Sequence, residues 1–453
     1  MKKPKVYDII KIKNEYNEIT TYIKSGEFVL KNFILKGNIC YSKNLKEISV
    51  HKSSYVVCSD KTCAGVFDSL PLQYRQYPIF DYQDRLIIPG LVDLHIHAPQ
   101  YAYRGLGMDL ELIQWLEQQA FSEEAKYSDE EYAKKAYSIF CDQMKKSATT
   151  RACVFSTIHK DTTKILMQLM ENSGLITFIG KVNMDQNAPD ILREKSADKS
   201  YQDTVNWLNE IKGKFKNTFP ILTPRFVPSC SKELFEKLGE IQKRYLIPVQ
   251  SHLSENPDEI KWVKELYQDS KFYGDVYDSY ALFGNGVKTV MAHCIYSTDE
   301  EIEKIKDNCV FIAHCPASNL NISSGIAPIR KYLDKNINLG LGSDVAGGQS
   351  ESIFKAMVDA ISVSKLYYRL CDKNSAPLTF DEAFYMATKG GGKFFGNVGS
   401  FESGYDFDAV VIDDSDLPYP QTLNVRQRLE RAVYLSADIK GIYAKYCNGQ
   451  KIF

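Results

Sequence analysis

Short apolar runs typical of β-strands occur near the start of the chain and return near its end. Between residues 28 and 57 they are separated by Gly, Asn and Ser, which favours an antiparallel sheet. After about Gly396 the β pattern returns, at Ala409 to Ile412, Arg431 to Tyr434 and Gly441 to Tyr443. An Asn448-Gly449 dipeptide then predicts a hairpin turn. Both ends of the chain are therefore expected to be β structure.

The central part of the chain has a different pattern, in which apolar runs alternate with long amphipathic segments from Leu86 onward. This alternation is typical of β/α units around a parallel sheet. The predicted strands are Ile87 to Val92, Ala152 to Phe155, Ile176 to Val182, Ile221 to Phe226, Pro248 to His252, Thr289 to His293, Cys309 to Ala313 and Ile337 to Leu341. Helices are predicted between them, such as Tyr132 to Lys146, Lys232 to Arg244 and Glu300 to Asp307. Eight such units predict an α/β fold of the (β/α)8 TIM-barrel type.

Three segments follow from these patterns. Residues 1–88 form an N-terminal β flank, residues 89–395 the barrel, and residues 396–453 a C-terminal β flank. Neither flank is large enough for a good core of its own, so we expect the two to pair into one small β-sandwich domain beside the barrel. The Lys- and Asn-rich residues 1–23 carry no clear structural signal.

Composition narrows the class of protein. The chain has 453 residues, of which 44% are apolar and 25% are charged, as in ordinary folded proteins. The chain has 56 Lys and Arg residues and 57 Asp and Glu residues, so it lacks the excess of positive charge that would favour binding to nucleic acid. No run approaches the ~18 apolar residues of a membrane span, and no apolar signal core follows Met1. We therefore expect a cytoplasmic protein with no nucleic-acid partner and no membrane association, and reduced thiols at its 11 cysteines.

Histidines are scarce, and most of the seven lie at or near predicted strand ends. His95 and His97 are two residues apart, so on a strand both imidazoles point to the same side and can enter one metal coordination sphere. His252, His293 and Asp344 also lie at the ends of predicted strands. Because catalytic groups of a TIM barrel meet at the C-terminal ends of its strands, these five side chains are predicted to converge.

The chemistry of this set favours a transition metal. Neutral imidazoles with a single carboxylate suit Zn²⁺ or Fe²⁺, whereas Mg²⁺ and Ca²⁺ prefer all-oxygen shells. A single strand-end histidine is otherwise more often a buried core residue than a ligand. We interpret His159 and His314 in that structural sense, and His51 lies in the β flank away from the site.

Four stretches carry a resemblance to a known family. They are His95-Ile96-His97-Ala98-Pro99-Gln100, Thr223-Pro224-Arg225-Phe226, Ser251-His252-Leu253-Ser254-Glu255-Asn256 and Asp344-Val345-Ala346-Gly347-Gly348. The chain resembles the metal-dependent amidohydrolase superfamily, and within it the guanine deaminases. The likeness extends from about Phe28 to the end of the chain. It implies hydrolytic deamination of guanine to xanthine and ammonia by a zinc-activated hydroxide.

The resemblance also implies roles for the metal ligands and the catalytic residues. One Zn²⁺ per chain, with Fe²⁺ as the alternative metal, would be held by His95, His97, His252 and Asp344. Glu255 would carry a proton from the attacking water to a ring nitrogen and then to the departing amine. His293 would orient that water or stabilise the tetrahedral intermediate, and Asp344 would share the proton handling.

Substrate recognition would fall to Gln100, Arg225 and Phe226. Gln100 can both donate to and accept from an amide-like purine edge, and Arg225 can donate to a carbonyl such as guanine O6. Gln100 could instead cap a loop, and Arg225 could pair with an acid at the barrel rim. The segment 101–121 is a possible lid, and a homodimer is expected from the resemblance alone. The competing functions are a deaminase of another amino-azine (8-oxoguanine, a pterin, cytosine or a triazine) and a non-catalytic barrel scaffold.

Overall fold

The computed structural model describes residues 9–13, 18–22 and 30–453. Its strands, in chain order, are β1 Ile9–Lys13, β2 Glu18–Tyr22, β3 Asn32–Asn44, β4 Glu47–Ser59, β5 Thr62–Phe67, β6 Ile79–Pro89, β7 Leu91–His97, β8 Thr149–Phe155, β9 Ile176–Gly180, β10 Val182–Asn183, β11 Thr218–Pro220, β12 Thr223–Pro224, β13 Val249–Leu253, β14 Thr289–His293, β15 Phe311–His314, β16 Asn338–Leu341, β17 Ala409–Ile412, β18 Ile442–Cys447 and β19 Gln450–Lys451.

The α-helices connect and cover these strands. They are α1 Leu112–Trp115, α2 Phe121–Ala125, α3 Glu130–Lys146, α4 Lys160–Ser173, α5 Ala197–Ile211, α6 Lys232–Tyr245, α7 Pro257–Leu266, α8 Tyr273–Ser279, α9 Asp299–Asp307, α10 Pro316–Asn321, α11 Ile329–Asp334, α12 Ile353–Leu370, α13 Phe380–Tyr385 and α14 Val425–Tyr434. The three helices predicted by name correspond to α3, α6 and α9. Within the described part of the chain, none of the helices is both long and apolar enough to cross a membrane.

The central strands are parallel and occupy eight positions in sequence order. One sheet has the order β11-β9-β8-β7, a second has the order β13-β14-β15-β16, and β10 pairs with β12. The ladders do not close into one ring. An isolated bridge between Leu222 and Val249 joins the fourth and fifth positions, and the Asp344 amide donates to the His95 carbonyl at 2.8 Å between the eighth and first. The predicted α/β class is confirmed.

The flanks of the chain form one mixed sheet of seven strands in the order β19-β18-β17-β6-β3-β4-β5. β17 pairs antiparallel with β6, so both ends of the chain contribute to it, while β3 and β6 run parallel. These ladders show one sheet, and the predicted β-sandwich is not confirmed. The turn at Asn448-Gly449 joins β18 to β19 as predicted. β1 and β2 form a separate antiparallel pair.

Two predictions about local structure are wrong. Ile87 to Val92 is not one strand: the chain leaves the seven-stranded sheet at Pro89 and enters the parallel sheet at Leu91. Gly90 at this junction is packed so closely that a Cβ atom would lie 2.1 Å from Thr150 Oγ1. Arg431 to Tyr434 is the last turn of α14 rather than a strand.

Buried polar contacts join the seven-stranded sheet to the parallel strands at the end opposite the predicted site. Arg151, near the start of β8, donates from Nε to Asp408 Oδ2 at 2.6 Å and from Nη2 to Asp408 Oδ1 at 3.1 Å. Lys445 of β18 is fully buried and donates to the carbonyls of Met144, Ser147 and Thr149, each at 2.9 Å. These bonds fix β8 and the end of α3 against the C-terminal strands.

Candidate active site

The end of β7 brings two imidazoles together. His95 and His97 are buried on the same side of the strand, and their Nε2 atoms lie 3.1 Å apart. His252, at the end of β13, joins them, with its ring centroid 4.8 Å from that of His95. Its Nδ1 donates to the Arg225 carbonyl at 2.6 Å, which orients the ring and leaves Nε2 as the free nitrogen.

Asp344 follows β16 and completes this group. Its Oδ1 lies 3.2 Å from His95 Nε2 and 3.4 Å from His97 Nε2, and its Oδ2 lies 3.7 Å from His293 Nε2. The backbone is left-handed at Asp344, with φ of 46°, and at His293, with φ of 73°. Non-glycine residues in this region carry strain, which is frequent at functional sites.

Burial and neighbouring charges set the protonation of this group. Burial lowers the pKa of His97 and His252, and the surrounding imidazoles lower both further, so these rings are neutral. Burial acts to raise the pKa of Asp344, but electrostatic attraction to the imidazole groups of His95, His293 and His97 and a hydrogen bond with His95 outweigh it and hold that pKa well below its usual range. The result is an ionised carboxylate among imidazoles with free lone pairs, the state in which such groups bind metals.

The donor set fits one divalent metal ion. Donor atoms of His95, His97 and His252 all lie within 4.8 Å of one another, as do those of His95, His293 and Asp344. In addition, His293 Nε2 is buried and has no hydrogen-bond partner. Three or four N and O donors at this spacing suit a zinc-type or iron-type centre.

A second carboxylate lies beside this group. Glu255 Oε2 is 3.3 Å from His293 Nε2, and Glu255 Oε1 accepts a hydrogen bond from Ser324 Oγ at 3.1 Å. His293 is held from its other side, because its Nδ1 lies 2.9 Å from Asn319 Oδ1. Burial and the charge of Asp344 raise the pKa of Glu255 to about 8. A carboxyl group with a pKa near neutral pH is suited to taking up and releasing protons.

Two other predicted residues, Gln100 and Arg225, form a polar cluster around Glu124, a residue that the sequence analysis did not single out. Glu124 accepts hydrogen bonds from Gln100 Nε2 at 2.8 Å and from Arg225 Nη1 and Nη2 at 2.5 and 3.0 Å. Gln100 Oε1 in turn accepts from the Ala346 amide at 3.0 Å. Burial would lower the pKa of Arg225, but the charge of Glu124 outweighs it and raises that pKa.

One pocket is lined by both clusters. Its wall contains the polar residues His97, Gln100, Arg225, His252, Glu255, His293 and Asp344. Its apolar wall consists of Leu112, Trp115, Leu116, Phe226 and Ile322. Three of these apolar residues come from the segment 101–121, so this segment contributes directly to the pocket. A pocket that combines convergent polar groups with apolar and aromatic side chains is the usual form of a site for a small organic ligand.

Comparisons with known proteins agree with this site. The model of the Amidohydrolase family matches residues 86–449. Guanine deaminase from Dictyostelium discoideum is 39% identical over 390 residues, which cover 83% of this chain and 85% of that protein. The chain belongs to the guanine deaminases of the amidohydrolase family.

Two further comparisons concern this family. Guanine deaminase from Escherichia coli strain K12 is 33% identical over 383 residues, covering 82% of this chain and 84% of that protein. The crystal structure of guanine deaminase from C. acetobutylicum with bound guanine in the active site has a TM-score of 0.90 and 48% identity. The match covers 93% of this chain and 100% of that one. These amidohydrolase neighbours imply that the eight strand positions are those of a TIM barrel.

The other histidines do not join the pocket wall. His51 contacts Ser49 and Asp68 on the seven-stranded sheet, and His159 precedes α4. His314 is buried at the end of β15, and neither of its ring nitrogens has a hydrogen-bond partner. Burial lowers the pKa of His314 to about 3, so the ring is neutral.

Sequence reasoning missed several polar residues of this amidohydrolase site, among them Glu124, Asn319, Ser324 and Glu259. The first three hold predicted site residues by hydrogen bonds. Glu259 lines the pocket and accepts a bond from the Glu255 amide at 3.1 Å. The one available signal was its position in a capping box with Asn256 at the start of α7, which points to helix structure and not to a pocket.

Proposed function

We propose that this amidohydrolase converts guanine and water to xanthine and ammonia, with one Zn²⁺ per chain. The proposal rests on one observation: a carboxyl group suited to carrying protons and two side chains that donate hydrogen bonds line the same pocket. Glu255 lies beside His293 and Asp344, and Arg225 and Gln100 line the same wall. The relatives named above act on guanine according to their names, which supports the same substrate here.

The metal ligands in this proposal are His95, His97, His252 and Asp344. Their donor atoms come from the ends of three strands, β7, β13 and β16, and His252 and Asp344 are each held by a backbone hydrogen bond. When bound, the ion would lower the pKa of a water molecule from ~15.7 toward ~7. Zn²⁺ is preferred to Fe²⁺ as the ordinary partner of a mixed imidazole and carboxylate set.

The chain's own residues then handle the protons. Water forms the new bond to the C2 carbon of guanine, and the bond from C2 to the exocyclic nitrogen breaks as ammonia leaves. Glu255 accepts one proton from the attacking water and delivers it to the ring nitrogen, and it then carries the second proton of that water from the C2 hydroxyl to the departing amine as the C2 carbonyl forms. His293 orients the water or donates to the oxygen of the tetrahedral intermediate, and Asp344 shares the proton transfer.

Arg225 and Gln100 orient the base in this proposal. Arg225 donates to the O6 carbonyl and Gln100 contacts another part of the purine edge, while Phe226 packs in the apolar wall. A substrate without the matching acceptor leaves a buried donor unpaired, which costs about 1–3 kcal/mol per group. Guanine should therefore be strongly preferred to adenine.

We propose the domain boundaries, the oligomeric state and the cellular location from the sequence alone. We assign residues 1–88 and 396–453 to a small β domain and 89–395 to the barrel, and the β-sandwich form of that small domain stays a prediction. A homodimer and a cytoplasmic location also stay predictions.

The test is ammonia release, followed together with absorbance, from a panel of guanine, adenine, 8-oxoguanine, cytosine, pterins and triazines. Guanine should be turned over with the highest kcat/KM. Comparable turnover of adenine or cytosine would contradict the guanine assignment and leave the hydrolase assignment in place. No turnover of any compound by metal-loaded protein would favour the non-catalytic scaffold.

A further inference from the structure

Glu124 lies between Gln100 and Arg225, the two residues assigned to hydrogen bonding with the substrate. No sequence motif indicated a role for it. It belongs to α2, which follows α1 through a π-helical turn at Leu116–Ala120. Its side chain is buried, with an exposed fraction of 1%. A π-helical turn is rare in proteins and is frequent at functional sites. The helical segment that lines the pocket through Trp115 therefore also delivers this carboxylate.

The bonds of Glu124 determine how Gln100 is oriented. A carboxylate only accepts hydrogen bonds, so the atom of Gln100 facing Glu124 must be the amide nitrogen. The opposite side of the same amide accepts from the Ala346 backbone at 3.0 Å. With both ends held, the amide cannot reverse, and one N–H of Nε2 stays available for a ligand.

The same carboxylate fixes Arg225 in the plane of a bidentate pair. Two of the five guanidinium N–H groups are used on Glu124, at 2.5 and 3.0 Å, and the other three are not bound to it. The ring of Phe121 packs near the guanidinium, with a centroid distance of 5.4 Å from Arg225 Cζ. Arg225 is thus held by an ion pair and by an aromatic ring from one helix.

The pair also removes the net charge that Arg225 would otherwise bring into the pocket. Both side chains are almost fully buried, with exposed fractions of 4% for Arg225 and 1% for Glu124. A buried unpaired guanidinium would favour an anionic ligand such as a carboxylate or phosphate. A guanidinium already paired with Glu124 keeps its directional donors without that preference, which suits the carbonyl of a neutral base.

We propose that Glu124 is a positioning residue that sets the specificity of this enzyme for neutral 6-oxopurine bases, by holding Arg225 and Gln100 in the orientation that reads the base. This proposal rests on the proposed guanine deaminase function. Glu124 does not touch the reacting atoms, so its effect should appear in recognition more than in chemistry.

The test compares Glu124→Gln with Glu123→Gln. The neighbouring Glu123 is also mostly buried, but it accepts from Tyr132 and pairs with Lys126 at 2.6 Å, away from the pocket. For each variant, kcat and KM are measured with guanine and with 2,6-diaminopurine, which lacks the 6-oxygen, together with metal content. Glu124→Gln should raise KM for guanine by about 10- to 100-fold, with a smaller change in kcat and an unchanged metal content. The preference for guanine over 2,6-diaminopurine should fall by about tenfold or more, whereas Glu123→Gln should keep it.

A conservative variant and a double mutant complete the experiment. Glu124→Asp keeps the charge and should retain part of the preference, so it also serves if Glu124→Gln does not fold. In Arg225→Ala, the added Glu124→Gln change should have a smaller effect on KM than in the wild type, because only the bond to Gln100 is left to be lost. Unchanged specificity in folded, metal-loaded Glu124→Gln, or additive effects in the double mutant, would overturn the proposal. Wild-type enzyme inactive on guanine would instead contradict the proposed function.

Discussion

Glu255 and His293 come from consecutive parallel strands, and a carboxylate oxygen of one lies 3.3 Å from Nε2 of the other. Glu255 lies beyond the end of β13, and His293 is the last residue of β14. The ladder pairs Leu253 with His293, so residues just after Leu253 necessarily lie near His293. The spacing of Glu255 from His252 thus places a carboxyl group next to the predicted metal site, where we propose that it carries protons and does not bind the metal.

Glu255→Gln separates proton transfer from metal binding. Glutamine keeps the size and the contact with Ser324 but cannot accept a proton. We expect near-normal metal content and guanine binding, and a kcat lower by about 10²–10⁴-fold, the usual range for a lost general acid or base. Elemental analysis, equilibrium binding and the rate are measured on the same preparation. Loss of metal would make Glu255 a ligand, and an unchanged kcat would leave Asp344 or His293 as the proton carrier.

Metal content tests the ligand assignment. Purified protein should carry about one transition-metal ion per chain, because the donor atoms cluster around a single centre. His97→Ala should lose metal and activity together. His159→Ala is the control, since that histidine is partly buried but precedes α4 and lies outside the pocket wall, and this variant should keep its metal. Two tightly bound ions per chain, or retention of metal by His97→Ala, would contradict the assignment.

The sequence was enough to predict that the strand-end side chains of the site lie close together, and the reason is geometric. His95 and His97 share a side of β7, and parallel strands of a barrel place their C-terminal ends at one face, so strand-end residues far apart in sequence must meet. Arg225 lines the same pocket, but its assignment came from the resemblance to the guanine deaminases and not from strand geometry. Its side chain pairs with an acid, as the alternative interpretation had it, and that acid is the buried Glu124.

Other features depended on information that local patterns do not contain. Glu124 lies on a short helix after an irregular segment, and nothing in its neighbours distinguishes it from Glu123.

The last turn of α14 contains Ala432, Val433 and Tyr434, which taken alone is a β-type run. The buried residues Val425, Leu429 and Val433 repeat every four positions, and this helical period is visible only over the whole segment.

Arg225→Ala should weaken discrimination more than it weakens metal binding. Without its guanidinium, the O6 carbonyl loses a donor, and the carboxylate of Glu124 is left buried without its ion-pair partner. We expect kcat/KM for guanine to fall by at least about tenfold per lost hydrogen bond, while adenine changes little. Rates with both bases and metal content are measured side by side. Equal losses of kcat/KM for guanine and adenine, with normal metal content, would show that Arg225 does not recognise the O6 carbonyl.

The last prediction concerns the joint between the seven-stranded sheet and the parallel strands. Asp408 is buried and accepts four hydrogen bonds, from Arg151 Nε and Nη2, from Thr150 Oγ1 at 3.1 Å and from the Asn448 amide at 2.7 Å. Burial acts to lower the pKa of Arg151, but the charge of Asp408 raises it above its usual range. Asp408→Asn would leave that buried guanidinium without its buried counter-charge. Breaking a buried pair in this way costs about 3–5 kcal/mol.

Asp406 provides a matched control on the same guanidinium. Its carboxylate lies 3.0 Å from Arg151 Nη2, but its side chain is 39% exposed, against 1% for Asp408. An exposed pair contributes about 0–1 kcal/mol, so Asp406→Asn should change the midpoint of denaturant unfolding little. Asp408→Asn should lower that midpoint clearly, while the folded variant keeps its kcat because Arg151 is near the opposite end of β8 from the site. Equal shifts for the two variants would show that burial of Asp408 does not decide the strength of this joint.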